Sequence, residues 1–223
     1  MPKSILAPLK QYLTMLEASG VDVIPAAPVR TGTADKVDPV NHLGALRKTV
    51  LQCTKCSELV RTRHQIVFGS GNEKAELVFV GEAPGFDEDQ QGLPFVGKAG
   101  QLLTKIIESI GLAREEVFIC NVLKCRPPQN RNPVPEEIVN CQPFLLKQLE
   151  LIKPRVICAL GSFAAKTLLN SDRSISYLRG RFYEFRGSRL MCTFHPAYLL
   201  RNPQDKRKVW EDMKMIRAEL GHG

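Results

Sequence analysis

The chain has no apolar run approaching the roughly 18 residues that a membrane-spanning helix needs. It also lacks a charged-then-apolar leader with a small-residue cleavage site. Both absences argue against membrane insertion and secretion and for a cytoplasmic location, where thiols stay reduced. The seven cysteines are an odd number, which leaves no tidy disulfide framework. A second Cys-x-x-Cys is missing as well. Cys53 and Cys56 form one such pair, but fifteen residues separate Cys125 from Cys141, unlike the two knuckles of a zinc ribbon. No internal repeat or low-complexity tract is present.

What is present suffices for one well-buried domain and an appendage, with 223 residues of which 43% are hydrophobic. A formal net charge of +8 suits a polyanionic partner. In a reducing compartment, clustered cysteines are more often metal or cofactor sites than disulfides. Residues 1–18 carry Ile5, Leu6, Leu9, Tyr12, Leu13 and Leu16 at helical spacing. From Ser19 to Pro39 that period is lost among prolines, glycines and small residues, as in a linker. The expected division is therefore an N-terminal helix and linker over 1–40 and one folded domain over 41–223. Asn41 is a reasonable N-cap for a helix with Leu43, Leu46, Val50 and Leu51, which would deliver Cys53 and Cys56 at its end.

Three short apolar runs, 77–80, 117–120 and 156–160, read as buried parallel strands, and 190–194 as a fourth. Helical patterns over 99–110, 135–151, 162–169 and 204–220 alternate with them. The expectation is an α/β fold, a three-layer α/β/α sandwich around a mostly parallel four-stranded sheet. Ligands of such sheets sit beyond the carboxyl ends of the strands, so the segments after 80, 120 and 194 are where chemistry is expected. Cys120, Cys158 and Cys192 fall inside strands and read as small buried apolar residues.

Gly81-Glu82-Ala83-Pro84-Gly85-Phe86-Asp87-Glu88-Asp89, followed by Gly92-Leu93-Pro94-Phe95-Val96-Gly97-Lys98-Ala99-Gly100, resembles the first motif of the family 4 uracil-DNA glycosylases. Asn121-Val122-Leu123-Lys124-Cys125-Arg126-Pro127-Pro128 and His195-Pro196-Ala197 resemble its later segments, in the same order and with the cysteines interleaved. The likeness runs from about Asn41 to the C-terminus. It implies a monofunctional enzyme of base excision repair that hydrolyses the N-glycosidic bond of uracil in DNA, single- or double-stranded, and leaves an abasic site. It also implies a structural [4Fe–4S] cluster on Cys53, Cys56, Cys125 and Cys141, with zinc the alternative. No membrane partner is expected, and a monomer is.

The physical demands of that task can be set against the residues. A base inside a duplex is out of reach, so the nucleotide must be flipped into a pocket at a cost of a few kcal/mol. Phe95, in a loop between Pro94 and Gly97, is the stacking ring, although an isolated Phe is more often core. Uracil presents an N3–H donor beside an O4 acceptor, which one amide matches in a plane. Asn121 takes that part by resemblance, against the local alternative of a turn cap. Negative charge grows on O2 and N1 as uracil leaves, so a donor aimed at O2 favours the transition state. His195 matches that role, the alternative being a satisfied structural histidine. In the same segment Leu199 is the first choice of wedge for the vacated stack, with Arg201 on a phosphate.

Other glycosylase families place an aspartate where this chain has Ala83, so Ala83 is expected beside the attacking water. Glu82 and then Glu88 are the nearest carboxylates, and the resemblance implies that both matter, Glu88 by filling the space beside uracil C5 that would reject thymine's methyl; which of them, if either, handles the water stays open. Asp87 and Asp89 read as solvated loop, and Lys98 and Lys124 as phosphate contacts or surface charges. Arg126 and Arg131 are candidates to line the DNA. The basic, histidine-bearing insertion that marks a covalently trapping relative is absent after Gly100. Two other classes of function remain in view. One is a catalytically weak DNA-binding or damage-sensing protein on the same fold and cluster. The other is a polymerase accessory protein tethered through residues 1–40.

Overall fold

The computed structural model describes residues 39–221, with side chains from His42 onward. The expected helix over 1–18 and the expected linker up to residue 38 lie outside the described residues. Helix α1 (Pro39–Leu51) begins ahead of the predicted cap at Asn41, with a proline in its first turn where no N–H is needed. It ends just before Cys53, and a short α2 (Ser57–Thr62) follows Cys56.

The sheet has six strands in the order β1-β3-β2-β4-β6-β5. In chain order these are β1 (Ser70–Gly71), β2 (Leu77–Gly81), β3 (Phe118–Asn121), β4 (Val156–Leu160), β5 (Phe182–Phe185) and β6 (Ser188–Thr193). The expected four strands form its parallel centre, paired β3-β2, β2-β4 and β4-β6. Four strands is nevertheless an undercount, because antiparallel edges β1 and β5 make the sheet mixed. Both edges give weak sequence signals. Strand β1 is two residues long, and β5 reaches β6 through Arg186 and Gly187, both at positive φ (50° and 86°). Such a two-residue turn normally announces itself as Asn-Gly or Asp-Gly.

Alternate strand residues feed two cores, which is why the central strands read as continuous apolar runs. Val78, Val80, Phe118, Cys120, Ile157 and Ala159 pack on one face with α1 and with Leu145 and Leu149 of the long helix Pro135–Ile152. Leu77, Phe79, Ile119, Val156, Cys158 and Met191 pack on the other, with Leu103 and Ile107 of helix Lys98–Ser109 and with Val209, Met213 and Ile216 of helix Lys206–Leu220. Helices therefore flank the sheet on both sides. Among the described residues no helix is long and apolar enough to cross a membrane.

Candidate active site and cysteine recess

The carboxyl ends of β2, β3 and β6 open into a recess of about 430 Å³. Glu82 and Ala83 follow β2, Asn121 ends β3, and His195 follows β6 after Phe194. Parallel pairing sets Gly81 opposite Asn121. Gly81 must stay bare, since a Cβ there would lie 2.3 Å from Asn121 Oδ1 and 2.6 Å from Phe95 Cζ. This absence of a side chain lets the amide and the ring share one cradle.

Asn121 is 1% exposed, and its buried Oδ1 has no hydrogen-bond partner among the described residues. A buried acceptor left unpaired costs of order 1–3 kcal/mol and calls for an explanation. Phe95 lines the same recess, adopts φ of 53° and holds its ring 5.5 Å from that of His195. Its loop is fixed from three sides. Glu88 Oε1 accepts the Val96 and Gly97 N–H groups (2.9 and 3.0 Å), and Glu88 Oε2 accepts Gly85 N–H (3.1 Å). Arg114 donates to the Pro94 carbonyl at 2.7 Å. Gly100 admits the Phe95 carbonyl where any Cβ would sit 1.9 Å away.

His195 caps helix Pro196–Arg201, its Nδ1 accepting Ala197 N–H at 3.1 Å. An accepting Nδ1 assigns the ring proton to Nε2, which makes the neutral imidazole a donor from that atom. Burial, with the Arg201 charge behind it, pushes the His195 pKa down to about 4, Glu88 opposing. The donor is therefore neutral at physiological pH. Glu82 is the contrasting group: burial alone pushes its carboxyl up to about 6, and no hydrogen bond or ion pair holds it among the described residues.

Several sequence expectations change here. Glu88 spends both oxygens on backbone N–H groups, so it shapes the Phe95 loop. Leu199 is 1% exposed within the core and does not face the recess, whereas Leu200 beside it is 46% exposed. Asp89 is buried and accepts the His64 and Gln65 N–H groups, so it is no solvated loop residue. Arg131 pairs with Glu137 and Glu58, which offsets its charge. Lys124 is 1% exposed and is not a surface charge. The wall made by Pro127, Asn130 and Asn132 was not foreseen. Its one sequence signal is the paired prolines and asparagines between the second pair of cysteines.

Cys53, Cys56, Cys125 and Cys141 line a second, small recess walled by Val50, Leu59, Ile66 and Phe144. Donors already face the sulfurs. Arg63 Nη1 reaches Cys125 Sγ at 3.1 Å, Lys124 N–H reaches Cys141 Sγ at 3.2 Å, and Asn140 Nδ2 reaches Cys56 Sγ at 3.8 Å. Among the described residues no three His, Cys, Asp or Glu side chains close on a single metal ion. Four thiols in an apolar recess, three of them facing N–H donors, are a donor set that suits a thiolate-held group, an iron–sulfur cluster or a zinc ion.

A mixed sheet with a parallel centre, flanked by helices on both sides, thus carries an orphaned amide, a neutral imidazole and an aromatic ring at its strand ends, the layout of an α/β domain with its site at the carboxyl ends of the strands. The model of the uracil DNA glycosylase superfamily matches residues 68–214. A type-4 uracil-DNA glycosylase of Archaeoglobus fulgidus is 48% identical over 79% of this chain and 92% of its own length. One of Thermotoga maritima is 46% identical over 76% and 90%. A type-5 uracil-DNA glycosylase of Pyrobaculum aerophilum is 28% identical over 67% and 80%. The chain belongs to the uracil-DNA glycosylase superfamily and, within it, to the type-4 family.

Proposed function

We propose that this enzyme hydrolyses the N-glycosidic bond between uracil and deoxyribose in DNA, releasing the free base and leaving an abasic site. The observation that carries the reading is the buried, unpartnered Asn121 Oδ1 beside the Phe95 ring. Such an acceptor suits uracil N3–H, with the amide Nδ2 donating to O4. Cytosine offers no N3–H and places a donor where O4 would be, so it leaves the amide mispaired. Phe95 stacks on the flipped base.

As the C1′–N1 bond breaks, its electron pair leaves with uracil and spreads over N1 and O2. His195 Nε2–H is the donor for that charge, and a neutral donor preorganised in a buried site strengthens as charge develops. Water adds its oxygen to C1′ and gives a proton to the Glu82 carboxylate, which returns it to solvent, while the departed uracil anion takes a proton from solvent at N1 to become the free base. Glu82 orients the water, being the unpaired carboxylate of the recess, whereas Glu88 is occupied. Ala83 leaves the space beside it open. Leu200 is the wedge for the vacated stack and Arg201, exposed at the rim, contacts a phosphate.

Cys53, Cys56, Cys125 and Cys141 would hold a [4Fe–4S] cluster, which supplies a structural cross-link between the segment ahead of β1, the loop that follows β3 and the helix Pro135–Ile152 itself. That loop also supplies the Asn130 and Asn132 wall, so the cross-link supports the base recess. Incubation with uracil-containing and matched thymine-containing oligonucleotides, then alkaline cleavage of abasic sites, tests the activity. Cleavage at uracil alone is expected. Intact uracil strands from iron-loaded, folded protein would overturn the assignment.

A further inference from the structure

Lys124 is 1% exposed. Its ammonium donates to the Asn121 carbonyl at 2.7 Å and to Gln148 Oε1 at 2.6 Å, and Gln148 Nε2 donates onward to the Phe68 carbonyl at 2.8 Å. These acceptors are neutral, and among the described residues no carboxylate pairs with Lys124. A buried ammonium without an anion is costly, so its charge calls for compensation nearby. Sulfur is the available source. Lys124 lines the cysteine recess, flanks Cys125 in sequence and donates its own N–H to Cys141 Sγ at 3.2 Å. Four thiolates outweigh a doubly charged cubane core, so the loaded site is anionic.

We propose that Lys124 is a positioning residue joining the two recesses, its ammonium serving both as charge partner of the loaded cysteine site and as the tether of the Asn121 carbonyl. Asn121 closes β3, and its side chain has no hydrogen bond of its own in the absence of a base. The Lys124 tether adds to the β2 pairing at this strand end, where the Val122 and Leu123 N–H groups reach the Gly81 and Glu82 carbonyls, in setting the height of the amide. A cation that neutralises the cluster and fixes the base reader makes uracil affinity depend on the cysteine site, although no thiol touches the base.

The inference rests on the cysteines holding iron, so iron content and visible absorbance of the parent holoprotein come first. An iron-free parent sinks the cluster reading, whereas indifferent variants of an iron-loaded parent sink only the role of Lys124. The variants are Lys124→Met, close in length and neutral, and Lys124→Arg, which keeps the charge. Two quantities are measured on holoprotein: the rate of iron loss to a ferrous chelator, followed by visible absorbance, and the equilibrium affinity for free uracil base.

Lys124→Met is expected to lose iron about tenfold faster and bind uracil about tenfold more weakly, the scale of one charged hydrogen bond. Lys124→Arg is expected to restore iron retention to within about threefold while recovering uracil affinity only in part, because a planar guanidinium cannot reproduce both acceptor contacts. Iron retention and uracil affinity both within twofold of parent in Lys124→Met would overturn the proposal. Where Lys124→Met does not accumulate, Lys124→Gln takes its place with the same overturning outcome. Failure of both neutral variants to load iron while Lys124→Arg loads normally supports the charge partnership.

Discussion

The two recesses on either side of Lys124 are built on opposite rules. The one at the strand ends is open and polar, and it leaves groups unsatisfied: Asn121 Oδ1 has no partner and Glu82 no counter-charge. The one lined by cysteines is small and apolar, and three of its four sulfurs already face N–H donors. Unpaired buried groups signify a place kept for a transient ligand, and pre-satisfied ones a place for a resident group. Substitutions in the first recess should thus change turnover while sparing the fold, and those in the second should do the reverse.

The largest expected effect is on the cysteine side. Cys141→Ser should lose most soluble, iron-loaded protein, because metal binding and folding are coupled. Soluble yield and iron per chain check it, and normal yield without iron would erase the contrast. Next comes His195→Ala, expected to lower turnover by roughly 10²–10³-fold with DNA affinity nearly unchanged. Single-turnover rates beside filter-binding affinities separate that from a DNA-contact role, in which both would fall together.

Glu82 gives a pH signature. Its ionised form is the one that orients water, so excision should fall as pH drops through about 6, while His195, with its pKa near 4, stays a neutral donor well below that. Glu82→Gln should be slow and should lack the limb near pH 6 in single-turnover profiles. Stability moves the other way. A carboxyl whose folded pKa is raised stabilises the fold most at low pH and loses that contribution as pH rises through about 6, so Glu82→Gln should melt higher than parent at pH 8. An unchanged acid limb in Glu82→Gln would remove Glu82 from the water. The smallest effect on rate separates two neighbours. Leu200→Ala should slow excision from duplex DNA about tenfold and leave single strands less affected. Leu199→Ala should instead cost about 2–5 kcal/mol of stability in denaturant melts.

Much of this was legible in the sequence for a physical reason. Strands buried on both faces write themselves as unbroken apolar runs, so β2, β3, β4 and β6 stood within two residues of their observed ends. The residues after those strands needed only topology to converge. What stayed hidden depends on where side chains point. Leu199 and Leu200 are one residue apart, and only the helix phase turns one into core and the other into rim. Composition cannot tell a loop carboxylate in water from Asp89 capping two backbone N–H groups, or a phosphate-seeking lysine from the buried Lys124. The hairpin at Arg186-Gly187 carries positive φ on an arginine, which no turn preference anticipates.

The central claim is that the orphaned Asn121 oxygen reads the base. Single-turnover excision of uracil and of cytosine, from otherwise identical strands, by the parent and by Asn121→Asp tests it most directly. The parent should release uracil and leave cytosine. The variant replaces an amide donor with an acceptor that repels uracil O4, so its uracil rate should fall about 10²-fold and its preference for uracil over cytosine should narrow at least tenfold. A variant that keeps the parent's preference, at whatever overall rate, would show that Asn121 supports the recess without reading what enters it.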